Sequence, residues 1–253
     1  AQGRDAKGNN LGVFSDGHAW CWSCGFYIPS QDVPLQDIER RLITEEQQAT
    51  KNGAIVLPYD FDCNIPEEAL TWIRKYGITD EEIERYNFGW SQRNEQLIFP
   101  VYNNDFTLSM YQARTFSKNP DRPKYVTTGN RDSVFHFLRN SDVDLTGHLV
   151  LTEDLLSAIK VSRHVTAMPL WGSSLSREQT ISISKMFTHL HIWLDKDKQK
   201  DSIAARMKYA LYFQKVTSII TDHDPKEYSD SAIIQWLSAK GIPVRARTQP
   251  SVA

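Results

Sequence analysis

Cysteine is scarce in this sequence: 253 residues hold three, Cys21, Cys24 and Cys63. Three thiols do not build the disulfide frame of a small secreted domain, and a chain of this length has interior enough to fold without one. Charge of one sign is lacking too, with 29 Lys+Arg against 31 Asp+Glu. No global basic field marks a nucleic-acid binder, so any such surface must be a local patch. No apolar run approaches the ~20 residues that cross a bilayer, and the opening "AQGRDAKGNN" has none of the apolar middle of a signal peptide. These absences lead us to expect a soluble, intracellular, cytoplasmic protein with no membrane partner. The phosphate-binding pattern G-x-x-x-x-G-K-[ST] is also missing, which excludes a motor built on that loop.

What is present falls into segments of different texture. Residues 11–28, "LGVFSDGHAWCWSCGFYI", are short, aromatic and turn-rich, and carry the C-x-x-C pair Cys21/Cys24. They read as a small β-module, residues 1–28, held by metal or redox chemistry rather than by a core. Residues 29–65 are charged, helix-compatible and poor in large apolar side chains, and read as a linker. From residue 66, Ala69, Leu70, Ile73 and Tyr76 recur at helical spacing. Gly77 then stops that helix, and Thr79 with Glu82 predicts a capping box for the next. "QLIFPVY" and "TLSMYQART" read as two strands joined by a polar turn. Residues 66–146 are therefore expected to be an α+β subdomain.

Beyond Leu145 the texture becomes regular. "HLVLT", "VTAMPLW", "HLHIWL" and "VTSIIT" read as strands, each followed by a helical stretch. Four βα units predict an α/β subdomain, residues 147–253, built on a parallel sheet. Ligands of such sheets collect beyond the carboxyl ends of the strands. There the sequence places Glu153, then "WGSS", then Asp195 and Asp197, then Asp222 and Asp224. Residues i and i+2 leaving a strand point to one side, so Asp195 and Asp197 are expected to converge with Glu153 and Asp224. Carboxylates crowded in a cleft raise one another's pKa unless a cation neutralises them. Oxygen ligands without His or Cys favour Mg²⁺ or Mn²⁺, which suit phosphoryl transfer. The plainer role for a strand-end Asp is a helix N-cap, which is the reading for Asp154 and Asp230. For the fourth carboxylate, Asp222 and Glu227 stand beside Asp224 as alternatives.

At "VLTEDLLSAIK" and "IWLDKDK" the chain resembles a Toprim (topoisomerase–primase) domain, with Glu after the first strand and D-x-D after the third. "FSDGHAWCWSC" is similar to the second half of the zinc-binding, zinc-ribbon-like module of bacteriophage primases, and "IFPVYNNDFTLSMYQARTFSKNPDRPKYVTTG" to the segment before Toprim in their RNA-polymerising domain. The resemblance implies Glu153, Asp195 and Asp197 as catalytic acids and, with Asp224, as ligands of Mg²⁺ or Mn²⁺. It also implies that Gln112, Arg114 and Lys124 face a ribonucleoside triphosphate or the RNA primer. The residues agree: Arg114, Lys118, Arg122 and Lys124 interleave with Tyr111 and Phe116 in a patch able to hold phosphates. The plainer reading of Lys118 and Arg122 is a solvated hairpin face.

Two departures stand out. A structural zinc needs four ligands, and Cys21 and Cys24 supply two. The remainder either precedes this sequence, which is the expectation we favour, or comes from His18 and Cys63, or the module has lost Zn²⁺. Ser157 also stands where many family members carry a further acid. His18 and the tryptophans Trp20 and Trp22 are candidates to read template bases, though the pair of indoles equally suits the small core of the module. The function implied is a DNA primase working on single-stranded DNA, with a separate replicative helicase as partner. The alternatives are a Toprim nuclease, which would not need the basic hairpin, and a non-catalytic DNA-binding or helicase-loading module.

Overall fold

The computed structural model describes residues 11–14, 19–21, 27–28, 35–103, 105–139 and 147–244. The chain divides into two compact units between Tyr59 and Asp60. In the first, β1 (Leu11–Val13), β2 (Ala19–Cys21) and β3 (Tyr27–Ile28) form an antiparallel meander. Helix α1 (Leu35–Lys51) follows. Its sequence favours a helix through spaced charges: Arg41 meets Glu45 at 2.8 Å and Arg40 meets Asp37 at 3.2 Å. Tyr59 is fastened to it, its N–H donating to Glu46 and its hydroxyl to Glu39. His18, Trp22 and Cys24, and the side chain of Cys21, lie outside the described residues, and the zinc expectation lies there with them. Cys63, in the second unit, is an exposed free thiol.

The second unit begins with a strand. Phe61–Asp62, placed by sequence at the end of the linker, is β4 and pairs with β5 (Gly89–Ser91). Between them stand α2 (Glu67–Arg74) and α3 (Asp80–Arg85). Gly77 takes the left-handed φ of +70° between the two helices, as a residue without Cβ can. The predicted capping box is formed, Glu82 N–H on Thr79 Oγ1 and Thr79 N–H on Glu82 Oε2. β6 (Gln96–Tyr102), β7 (Leu108–Thr115) and β8 (Tyr125–Gly129) complete an antiparallel sheet of order β4-β5-β6-β7-β8.

Four βα units follow: β9 (His148–Thr152), α4 (Leu155–Ser162), β10 (Ala167–Pro169), α5 (Arg177–Ser184), β11 (His189–Trp193), α6 (Gln199–Tyr209), β12 (Lys215–Ser218) and α7 (Asp230–Ala239). Their sheet is parallel, in the order β10-β9-β11-β12. Alternation along its strands feeds two cores. Leu149 and Leu151 join Leu190, Ile192 and residues of α5 and α6 on one face. Val150 and Trp193 join α4, α7, α2, α3 and the inner side of the antiparallel sheet on the other. The α+β and α/β segments thus share one continuous core, because the helices on that face must cover both sheets. No helix among the described residues is long and apolar enough to cross a membrane.

Candidate active site

The sheet order places β9, β11 and β12 side by side, so the residues following them meet at one edge. Facing that edge is the inner face of β7 and β8, the side on which Gln112 pairs with Phe99 and Arg114 with Leu97 of the shared core. Ala113 is fully buried, which turns its neighbours Gln112 and Arg114 the other way. The two surfaces enclose a cleft of about 400 Å³ whose lining includes Gln112, Arg114, Lys124, Glu153, Asp154, Asp195, Asp224 and Lys226. Acidic and basic candidates read from separate stretches of sequence therefore line one cavity.

Lys226 organises the acidic side. Its Nζ donates to Asp154 Oδ2 at 2.5 Å and Asp195 Oδ2 at 2.9 Å, and stands 3.1 Å from Asp224 Oδ2. Burial opposes its charge, but the carboxylates of Asp154 and Asp195 outweigh that and hold the ammonium above the ordinary lysine range. Asp195 is pushed up to about 7 by burial and by the charge of Asp154, because one ammonium is shared among three carboxylates. Asp224 goes the other way: burial raises it, but the Lys196 N–H and Lys226 outweigh burial and hold its pKa below the usual range. Glu153 is raised by burial and then by the charge of Asp197.

The D-x-D pair does not leave β11 as extended strand. β11 ends at Trp193, and residues 196–198 turn into one 3₁₀ turn. Asp195 thus enters the cleft while Asp197 is exposed and acts on Glu153. Asp154 does cap α4, accepting from Ser157 N–H, but its other oxygen holds Lys226. Asp222 is exposed, and Glu227 closes a capping turn on the Asp224 N–H. Asp230 is not the cap of α7, which is Ser229, but stands one residue later as a partly buried partner of Arg163.

On the basic side, Arg114 is held flat. Its guanidinium lies 4.0 Å from the Trp72 ring centroid, with Phe116 and Tyr125 each at 5.4 Å, and Nη1 donates to Tyr125 Oη at 2.9 Å. Gln112 donates to Thr127 Oγ1, and Lys124 lies over the Tyr125 ring. From "WGSS", Trp171 and Gly172 also line the cleft. Trp171 sits at a left-handed φ of +53°, a costly conformation for an aromatic residue. A Cβ at Gly172 would lie 1.8 Å from Arg131 Nη1, so a larger residue there would have to displace the end of that side chain.

The sequence matches no protein-family model and no curated protein. Solved structures do share its architecture. The zinc-binding and RNA polymerase domains of the Aquifex aeolicus primase align with 91% of this chain and 75% of that one, at TM-score 0.57 and 13% identity. A DNA primase domain from Pseudomonas aeruginosa aligns over 81% and 78%, at TM-score 0.53 and 15% identity. A DnaG primase catalytic domain bound to single-stranded DNA aligns over 80% of each chain, at TM-score 0.52 and 12% identity. The fold is that of a bacterial primase core.

Within this primase fold, among the described residues, no three His, Cys, Asp or Glu side chains converge closely enough to hold a metal ion by themselves. Two carboxylate oxygens, Glu153 Oε2 and Asp195 Oδ1, are nevertheless buried without any hydrogen-bond partner. Buried anionic oxygens left bare are costly. They fit a Mg²⁺ ion, which binds through one or two carboxylates and takes water and phosphate oxygens for the rest. The residues missed by sequence reading are Lys226, the second role of Asp154, and Trp72. A lone lysine inside the acidic run "DHDPKEYSD" is the signal that points to the first.

Proposed function

We propose that the chain is a DNA primase: a nucleotidyltransferase that joins ribonucleoside triphosphates into a short RNA primer on single-stranded DNA. The observation that carries this reading is the single cleft lined by Glu153, Asp195 and Asp224 on one side and by Gln112, Arg114 and Lys124 on the other. A triphosphate needs both, cations to bind it and carboxylates to manage the charge and proton of the attacking hydroxyl. The single-stranded DNA bound to the DnaG catalytic domain of the same fold supports the choice of template.

In this reading Arg114, fixed by its aromatic neighbours, presents N–H donors to phosphate oxygens without losing side-chain freedom on binding. Lys124 adds a mobile positive charge beside it, and Gln112 offers an amide to the base or sugar. Glu153 and Asp195, with Asp197 beside Glu153 and Asp224 held on Lys226, are the residues that would take up Mg²⁺ or Mn²⁺; the ion supplies charge neutralisation at the phosphate and a lowered barrier to deprotonating the 3′-hydroxyl.

Residues 1–28 are proposed as the template-reading module with a Zn²⁺ site at Cys21 and Cys24, 29–65 as its connection, 66–146 and 147–253 as the two parts of the polymerising core, and a replicative helicase as the cellular partner. Incubation with single-stranded DNA, the four ribonucleotides and Mg²⁺ tests the proposal. Oligoribonucleotides are expected; cleavage of the DNA without ribonucleotides would replace it with a nuclease, and DNA binding with neither product with a non-catalytic module.

A further inference from the structure

Lys226 comes from the turn after β12 and meets carboxylates from three other positions: Asp154 at the start of α4, Asp195 after β11 and Asp224 two residues before it. Its side chain is 12% exposed. An ammonium has three N–H donors and no more, and here each faces a different carboxylate. Several hard oxygens gathered from separate segments onto one positive point is the arrangement otherwise made for a divalent cation. The loop is held so that the ammonium reaches that point: Lys160, buried in α4, donates from Nζ to the carbonyls of Lys226 and Tyr228. The three acceptors do not exhaust the negative charge. Asp195 gives Oδ2 to Lys226 while its Oδ1, like Glu153 Oε2, is buried without a partner.

We infer that Lys226 takes the position of one cation in this cleft, so that the protein binds a single divalent ion, through Glu153 and the free oxygen of Asp195. The inference rests on reading the cleft as a nucleotidyl-transfer site. In that site Asp154, Asp195 Oδ2 and Asp224 are already neutralised by a charge the chain carries itself. A second divalent ion among them would face the ammonium at contact distance, a repulsion that low local dielectric makes severe. Removing the ammonium leaves three facing carboxylates and opens the place to an ion.

Counting Mn²⁺ on the whole chain tests this, by electron paramagnetic resonance of the free ion in the absence of template and ribonucleotides. One ion per chain is expected for the unaltered protein and two for Lys226→Ala. Adding Asp154→Asn to Lys226→Ala should return the count to one. Two ions, or none, on the unaltered chain would overturn the inference, and that measurement stands even where Lys226→Ala fails to fold. A folded Lys226→Ala variant, checked by its circular dichroism, that takes no more Mn²⁺ than the unaltered chain would overturn it as well. The ion count does not use primer synthesis, so a chain that counts as expected but makes no RNA fails the functional reading and not this one.

Discussion

Arg163 donates to both carboxylate oxygens of Glu82, from Nε to Oε1 at 2.8 Å and from Nη2 to Oε2 at 2.6 Å. The same guanidinium reaches Asp230 Oδ1 at 2.8 Å and the carbonyl of Gly77. One side chain at the end of α4 thereby ties the α2–α3 turn, α3 and the start of α7. It is 12% exposed and Glu82 is 17% exposed, so loss of the cation strands two partly buried carboxylates. Arg163→Met should cost roughly 3–5 kcal/mol of unfolding free energy, read from the urea midpoint. Arg163→Lys should recover little, because a point charge cannot repeat the paired donors.

Removal of the acidic groups should abolish synthesis without loosening the fold. Asp195→Asn and Glu153→Gln are each expected to lower primer synthesis by roughly 10²–10⁴-fold, the range of a removed acid–base group. Retention of single-stranded DNA, measured by fluorescence anisotropy, separates this from loss of template. Full synthesis in either variant would remove Glu153 and Asp195 from the machinery.

Trp72 should matter through Arg114. Trp72→Leu leaves every charge in the cleft in place and removes the ring 4.0 Å from the guanidinium. Such stacks are worth about 0.5–2 kcal/mol, so the KM for ribonucleotides should rise a few-fold to about thirty-fold, with a smaller change in kcat. Arg114→Lys should behave similarly, keeping charge but not the flat, pre-set donors.

The start of the parallel sheet should make stability fall with acid. His191 is 1% exposed, bonds His148 and Thr217 through its two ring nitrogens, and is held down to about 3 by burial and then by the charge of His148. His148 is lowered for the same leading reason. In the unfolded chain such a ring binds a proton below about 6.5, while the folded form refuses it. Between about 6.5 and 3 the unfolded state holds the extra proton, so folding free energy is lost as pH falls, on the order of 1 kcal/mol per pH unit for this group. Urea midpoints at pH 7 and pH 5 check the slope, which His191→Gln should flatten.

Much of this was legible in the sequence where a physical period wrote it. Strands buried on both faces, such as "HLVLT" and "HLHIW", left runs that the βα reading caught, and the Thr79–Glu82 box marked a helix start that the structure forms. β8 and the short β4 and β5 left no such mark: β8 alternates half-buried and exposed residues with a polar composition, and the others are two and three residues long. Strand-end position brought Glu153, Asp195 and Asp224 to the cleft. It did not bring Asp197 with them, because alternation holds only while the strand continues and β11 stops at Trp193. Trp72 and Arg114 meet across separate elements, and no local pattern records that.

Lys160 has a further consequence. Helix α4 grips the 226–228 turn twice, through Asp154 at its first turn and through the Lys160 ammonium nearer its end. An incoming anion that draws Lys226 away from Asp154 frees only the first of these grips. The peptide chain stays moored by the second, so the ammonium travels no farther than its own methylene stem permits and falls back when the visitor departs.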